Sequence, residues 1–251
     1  MFLNVDRNRT MKKIIVLLFF FTMLLYATGL KAQIILEGQL DIGNNNLSRG
    51  LYLQFSNFGY YEKNYWGFQA GYQLGIVQPH DVFLNSWYVS AYGKIPLRKI
   101  KLDIRGEYLW ADFSPEMREV NWIVIARTSL KHWRFALGNN SRIYRLSRKT
   151  TKSDPDADRE SRIVEGGNLM YSASFAIKPF ENKWNVTFTI TDYDRFIIQQ
   201  ETNTMLNAGF NYRLIKPVSL YSELWYKASG FQNVKVNYFG TFIRIGVLWE
   251  L

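Results

Sequence analysis

The feature that most limits what this chain can become is its strict alternation of side-chain character. In "ILEGQLDI", Ile34, Leu36, Leu40 and Ile42 fall on one face, while Ile35, Glu37, Gln39 and Asp41 fall on the other. "YWGFQAGYQL" sets Trp66, Phe68, Ala70, Tyr72 and Leu74 against Gly67, Gln69, Gly71 and Gln73. "IKLDIRGEYLW" sets Ile100, Leu102, Ile104, Tyr108 and Trp110 against Lys101, Asp103, Arg105 and Glu107. "NLMYSASFAI", "KWNVTFTI", "MLNAGFNYRL" and "FIRIGVLWEL" repeat the scheme. Side chains in a strand point to opposite faces in turn, so a period of two predicts strands with one apolar and one polar face.

Such runs number about twelve, each of roughly 8 to 12 residues, a length that crosses a bilayer when tilted by about 45°. The predicted spans are 34–42, 50–57, 64–74, 84–94, 99–110, 119–129, 131–141, 168–178, 183–192, 204–214, 217–228 and 240–251. The connections add a second regularity. "SNFGYYEKN", "KIPLRK", "TSLK", "KPFENK" and "IKPV" follow the even strands and are mostly tight. "GNNNLSRG", "GIVQPHDVF", "ADFSPEMRE", "RLSRKTTKSDPDADRESRIVEGGN", "TDYDRFIIQQETNT" and "SGFQNVKVNYFG" follow the odd strands and are longer. Tryptophan is a third. Trp66, Trp133, Trp184 and Trp249 fall near short-turn strand ends, and Trp87, Trp110 and Trp122 near the opposite ends. Amphipathic rings at both strand ends predict two interfacial girdles. Trp225 has inward parity.

On these residues the chain from Gln33 to Leu251 resembles Gram-negative outer-membrane β-barrel proteins, in architecture and not through the motif of one family. The resemblance implies an all-β fold, a transmembrane antiparallel up-and-down barrel with its termini and short turns at the periplasmic side. The end "FIRIGVLWEL" is similar to the C-terminal strand signal read by the barrel-assembly machinery, although it closes on Trp249-Glu250-Leu251 and not on an aromatic. The competing fold is a secreted soluble barrel or sandwich that buries the apolar face.

The N-terminus agrees with export. "MKKIIVLLFFFTMLLYATGLKAQ" carries Lys12 and Lys13, an apolar run from Ile14 to Tyr26 and small residues up to Ala32. That layout predicts a signal peptide over residues 1–32, with Met11 as the working start and cleavage before Gln33. Residues 33–251 are then the barrel domain. Without residues 1–32 the formal charge falls from +10 to +6, too modest and scattered for a nucleic-acid partner. The chain has no cysteine, which excludes thiol catalysis, disulfides and thiolate metal sites.

Inward parity selects Glu37, Asp41, Asp103, Arg105, Glu107, Arg127, Arg134, Arg213, Glu223, Lys227 and Arg244 as lumen residues. Charges in a dry lumen must pair, whereas in a wet one they line a pathway. The working reading is a narrow porin-like pathway for small polar solutes, with outer-membrane lipid around it and no cofactor. Two alternatives stand beside it. A lipid hydrolase needs a nucleophile and base at the outer rim, where His80 lies beside Asp81 and Ser86 without a nucleophile motif; His132 is at the wrong end. A non-catalytic accessory barrel could dock partners through Phe196, Ile197, Phe231 and Tyr238.

The segment 145–168 is the most polar. Six basic and four acidic residues lie between Arg145 and Arg162, and Pro155 and Gly166-Gly167 oppose regular pairing, so it reads as the largest outer loop. Asp154, Asp156, Asp158 and Glu165 match the spacing of a calcium loop. Arg159 stands where that turn wants glycine and Ser161 where an apolar residue is usual, so the match is weak and a solvated acidic cluster is preferred.

Overall fold

The computed structural model describes residues 33–45, 51–77, 85–97, 100–112, 117–146, 163–194, 204–227 and 239–251. They form twelve strands and, among the described residues, no helix. The strands are β1 (Gln33–Asn45), β2 (Leu51–Lys63), β3 (Trp66–Val77), β4 (Asn85–Pro96), β5 (Lys101–Asp112), β6 (Met117–Ser129), β7 (Trp133–Leu146), β8 (Ile163–Ala176), β9 (Trp184–Thr191), β10 (Met205–Ile215), β11 (Val218–Lys227) and β12 (Phe239–Glu250). Each pairs antiparallel with its neighbours in sequence, and β1 pairs with β12, which closes the barrel. Closure removes the free edges that an open sheet of this length would expose. The number and order of strands are those the alternation predicts.

The short connections are tighter than the sequence suggests. Lys63 pairs with Trp66, so the turn between β2 and β3 is only Asn64-Tyr65. Asn64 has φ 52°, a left-handed conformation that asparagine tolerates and a two-residue hairpin demands. "SNFGYYEKN" is therefore mostly strand. Its Ser, Asn and Gly imitate a loop, but Asn57 and Gly59 are ladder positions opposite Tyr72 and Ala70. Leu130 and Trp133 exchange both backbone hydrogen bonds across Lys131-His132 at 2.8 and 3.2 Å, and Leu97 and Ile100 do the same at 3.1 and 3.2 Å.

The long-loop side also departs from expectation. β7 runs on to Leu146 and β8 begins at Ile163, so Gly166-Gly167 lies within a strand. The register shifts there: Asn140 pairs with Asn168 and Arg142 with Glu165, leaving two glycines opposite Ser141. Gly167 supplies the φ of +80° that this bulge requires. β9, in contrast, has only eight residues and ends at Thr191, level with Ser172 of β8 and Met205 of β10.

One face of every ladder points outward. Phe55, Phe68, Val89, Ile104, Val124, Leu137, Phe188, Phe210, Leu224 and Ile245 are exposed there. Apart from Ile34, the buried strand residues face inward and are a mixture of polar, charged, aromatic and aliphatic side chains. Twelve strands about 4.8 Å apart and tilted about 40° enclose a cylinder of backbone radius about 12 Å. Arginine and tyrosine side chains from the wall reach more than half that distance, so inward chemistry decides how full the barrel is.

Candidate functional site

The ladders put Glu37, Asp41, Asp103, Arg105, Glu107, Arg127, Arg134, Arg213, Glu223 and Arg244 at inward-facing positions, and Lys227 at the corresponding position opposite Met205. They do not form one cluster. They divide into a partly exposed group towards the short-turn mouth, in which only Glu107 is buried, and a buried group deeper in the barrel.

At the mouth, Lys94 Nζ lies 2.5 Å from Glu62, and the Tyr92 hydroxyl donates to Glu62 at 2.9 Å. Arg105 donates to Asp103 at 3.0 Å and to Gln69 at 3.2 Å, and its guanidinium lies 4.4 Å from the Tyr92 ring centre. Arg127 donates to Glu107 at 3.1 Å, Arg134 stacks on Phe180 of the β8–β9 turn at 3.7 Å, and Arg213 approaches Glu250 at 3.9 Å. The Tyr92 ring lies flat against β3 because position 67 is glycine: a Cβ there would come 2.3 Å from the ring.

Deeper in, Arg244 is the hub. Its Nε and Nη2 donate to both carboxylate oxygens of Asp41, at 2.8 and 2.9 Å, a bidentate pair. Nη2 also donates to Asp194 at 2.6 Å and Nη1 to Glu223 at 3.4 Å. Glu223 is held in turn by the indole of Trp225 at 2.7 Å. Trp225 stacks on Phe242, and both pack against Met205. The guanidinium lies within 5.5 Å of both ring centres. The inward parity of Trp225 is thus what lets it bond a lumen carboxylate.

Two further inward clusters complete the filling. Glu37 accepts from the hydroxyls of Tyr60 and Tyr221. Tyr221 lies over Gly246, where a Cβ would be 2.2 Å from its ring. Towards the long-loop end, Arg142 donates to Asn121 at 3.1 Å and lies 3.3 Å from Glu119, with Asn140 donating to Asn121 at 2.9 Å. Arg142 and Asn121 are both 0% exposed.

Parity alone would have found Tyr88, Tyr92, Lys94, Glu119 and Tyr221, which continue inward rows already recognised; Tyr60, Glu62 and Arg142 fell just beyond strand ends set too early. Asp194 had no signal, since its place depends on where the chain goes after β9. Asp192, Tyr193 and Asp194 turn into the lumen. The Asp192 carboxylate accepts from the Tyr171 backbone N–H at 2.8 Å, Tyr193 packs on Ile123, Ile125 and Met170, and Asp194 reaches Arg244.

On the outer face, Trp66, Trp133, Trp184 and Trp249 stand at short-turn strand ends and are exposed, as are Trp87 and Trp122 further up; Trp110 pairs with Trp87. His132 sits in the β6–β7 turn, its Nδ1 2.9 Å from the Ala176 carbonyl. Ser86 is buried on the inward face of β4. His80, Asp81, Asp154, Asp156, Asp158, Phe196, Ile197, Phe231, Tyr238 and the leader 1–32 lie outside the described residues, while Glu165 is a ladder residue of β8. Among the described residues no group of three or more His, Asp or Glu is arranged to hold a metal ion.

No family model matches the chain, and no curated protein matches it. Solved structures do. KdgM porin in complex with disordered oligogalacturonate, and KdgM porin alone, each superpose with a TM-score of 0.54 at 10% identity, over 86% of this chain and 98% of theirs. The Acinetobacter baumannii outer membrane protein Omp33 gives 0.45 at 12% identity, over 87% of this chain and 98% of its own. The fold is that of outer-membrane β-barrels.

Proposed function

We propose that this protein is an integral outer-membrane barrel of a Gram-negative bacterium, and that its lumen is a narrow pathway for small polar solutes, shut in the present conformation. Three features support the membrane setting. The outer face is a continuous apolar belt, far larger than a soluble monomer exposes. Tryptophans stand near both ends of that belt. The fold likeness is to a porin.

The observation that carries the pathway is the direction of the ion pairs. Asp103–Arg105, Glu107–Arg127, Glu119–Arg142 and Asp41–Arg244 each join residues of one strand or of adjacent strands. These four run along the wall, whereas a fifth, Asp194–Arg244, joins β12 to the residues that follow β9. A barrel stapled shut for rigidity alone would gain most from pairs across the axis. Charges paired along the wall stay compensated when material occupies the axis, which is what a solute path needs. Lys94, Arg127 and Arg213 are 35%, 30% and 45% exposed, so water reaches the short-turn mouth.

The second reading, an accessory barrel without transport, draws on the burial of Arg142 and Asn121. Recording from the refolded full chain in planar bilayers separates the two. Stepwise conductance is expected for the pathway; membrane-inserted protein that gives no steps at any voltage, either as wild type or as Tyr193→Ala/Asp194→Ala, leaves the accessory reading.

A further inference from the structure

We infer that the turn Asp192-Tyr193-Asp194 is the latch that closes the lumen, and that the Asp194–Arg244 ion pair holds it shut. The inference rests on the pathway reading and names the element that limits it.

The argument begins with the length of β9. Its eight residues end at Thr191, opposite Ser172, while β8 continues towards the long-loop end for nine residues more, back to Ile163. The regular ladder therefore stops deep inside the barrel, not at the rim; Asp192 still donates its backbone N–H to the Tyr171 carbonyl at 3.2 Å, and Tyr193 makes one isolated bridge. Thr191 fixes the bend: its hydroxyl lies 2.9 Å from the Tyr171 carbonyl and 3.0 Å from the Tyr193 carbonyl, either of which can take its one proton. The next three side chains are then secured to three different parts of the wall. Asp192 is tied to β8 through the Tyr171 N–H. Tyr193 packs against the cluster of Ile123 and Ile125 of β6 and Met170 of β8. Asp194 reaches to β12, 2.6 Å from Arg244.

β6 and β12 are six places apart in a ring of twelve, so they face each other across the axis. Tyr193 on one and Asp194 on the other make consecutive residues of one turn bridge opposite walls. Unlike the pairs along the wall, these contacts lie where a solute would have to pass. The attachments differ in strength of commitment. Asp41 engages Arg244 through both oxygens from the adjacent strand, whereas Asp194 shares one nitrogen of the same guanidinium. Arg244 therefore keeps a carboxylate partner when Asp194 leaves, and opening does not strand a buried charge. That asymmetry is what makes the Asp194 contact releasable.

The test compares unit conductance of the refolded full chain with that of Tyr193→Ala/Asp194→Ala, folding being checked by circular dichroism. The variant is expected to conduct roughly two- to fivefold more, since flow through a constriction follows its open section. Conductance in the variant from a silent wild type also supports the latch, while removing a constitutively open path. Equal conductance in both overturns the latch and leaves the pathway standing. Silence in both overturns the latch, because its removal then opens nothing. If the double variant does not fold, Asp194→Asn, which keeps the shape and removes the charge, is measured against the same outcomes.

Discussion

The mouth and the interior of this barrel use the same chemistry and get different things from it. Lys94–Glu62 at the mouth and Arg244–Asp41 in the interior are both short ion pairs on the inward face. Lys94 is 35% exposed, whereas Asp41 is 1% exposed. At the mouth, water already solvates both partners, so a pair adds little. In the interior, each charge has given up its hydration, and its partner is what makes that tolerable. The difference teaches that inward parity identifies lumen residues without ranking them; depth ranks them.

The sharpest test of that contrast is Arg244→Met. It removes the guanidinium shared by Asp41, Asp194 and Glu223 while keeping much of the volume. A loss of about 3–5 kcal/mol is expected, the usual cost of removing one partner from a buried pair. Equilibrium urea unfolding in detergent or lipid measures it. A loss under 1 kcal/mol would mean that water reaches the interior charges and that the two regions are alike.

The next test is steric. In Gly246→Ala the new Cβ would meet the Tyr221 ring at 2.2 Å, and that ring cannot move away without releasing Glu37. Overpacking of this kind costs about 1–3 kcal/mol. Gly106→Ala is the control, because on the outer face of β5 a Cβ meets nothing within 4 Å. Similar unfolding midpoints for the two variants would show that the interior is loose.

Much of this was legible in the sequence, for a physical reason. A strand between lipid and lumen must alternate, so twelve strands, their order and the inward parity of Arg244, Asp41 and Trp225 follow from period two. Four things were not legible. β2 hid its second half because Asn57 and Gly59 look like loop residues, although a ladder accepts them. Gly166-Gly167 read as a breaker, yet a bulge opposite Ser141 uses the pair. The lumen tyrosines carry no signal of their own, since an amphipathic ring suits either face: Tyr60 lies beyond the predicted end of β2 at residue 57, Tyr221 within β11, and both donate their hydroxyls to Glu37. Asp194 depends on the path of the chain after β9, which no local pattern encodes.

Lys94→Met brings the comparison to the mouth. Glu62 keeps the Tyr92 hydroxyl at 2.9 Å and access to water, so the loss expected is at most about 1 kcal/mol. Both partners are partly exposed, so raising the salt to about 1 M should weaken their attraction and shrink the difference between variant and parent. A salt-independent loss comparable with that of Arg244→Met would move the dry boundary of the lumen down to this level.

The smallest effect belongs to Arg213→Gln. Arg213 and Glu250 are 3.9 Å apart, at the limit of an ion pair, and 45% and 37% exposed. Glutamine keeps most of the stem that covers the wall and loses only a solvated charge. A stability change within about 0.5 kcal/mol is expected, as for exposed substitutions generally. Its conductance should nevertheless respond, because Arg213 stands on the inward face of β10 at the mouth, where removing a positive charge lowers the local concentration of anions. A variant that leaves stability unchanged but shifts the reversal potential under a salt gradient towards cation preference would show that the mouth is part of the conducting path. If neither quantity moves, the mouth charges belong to the rim of a closed barrel, and mouth and interior differ in hydration alone.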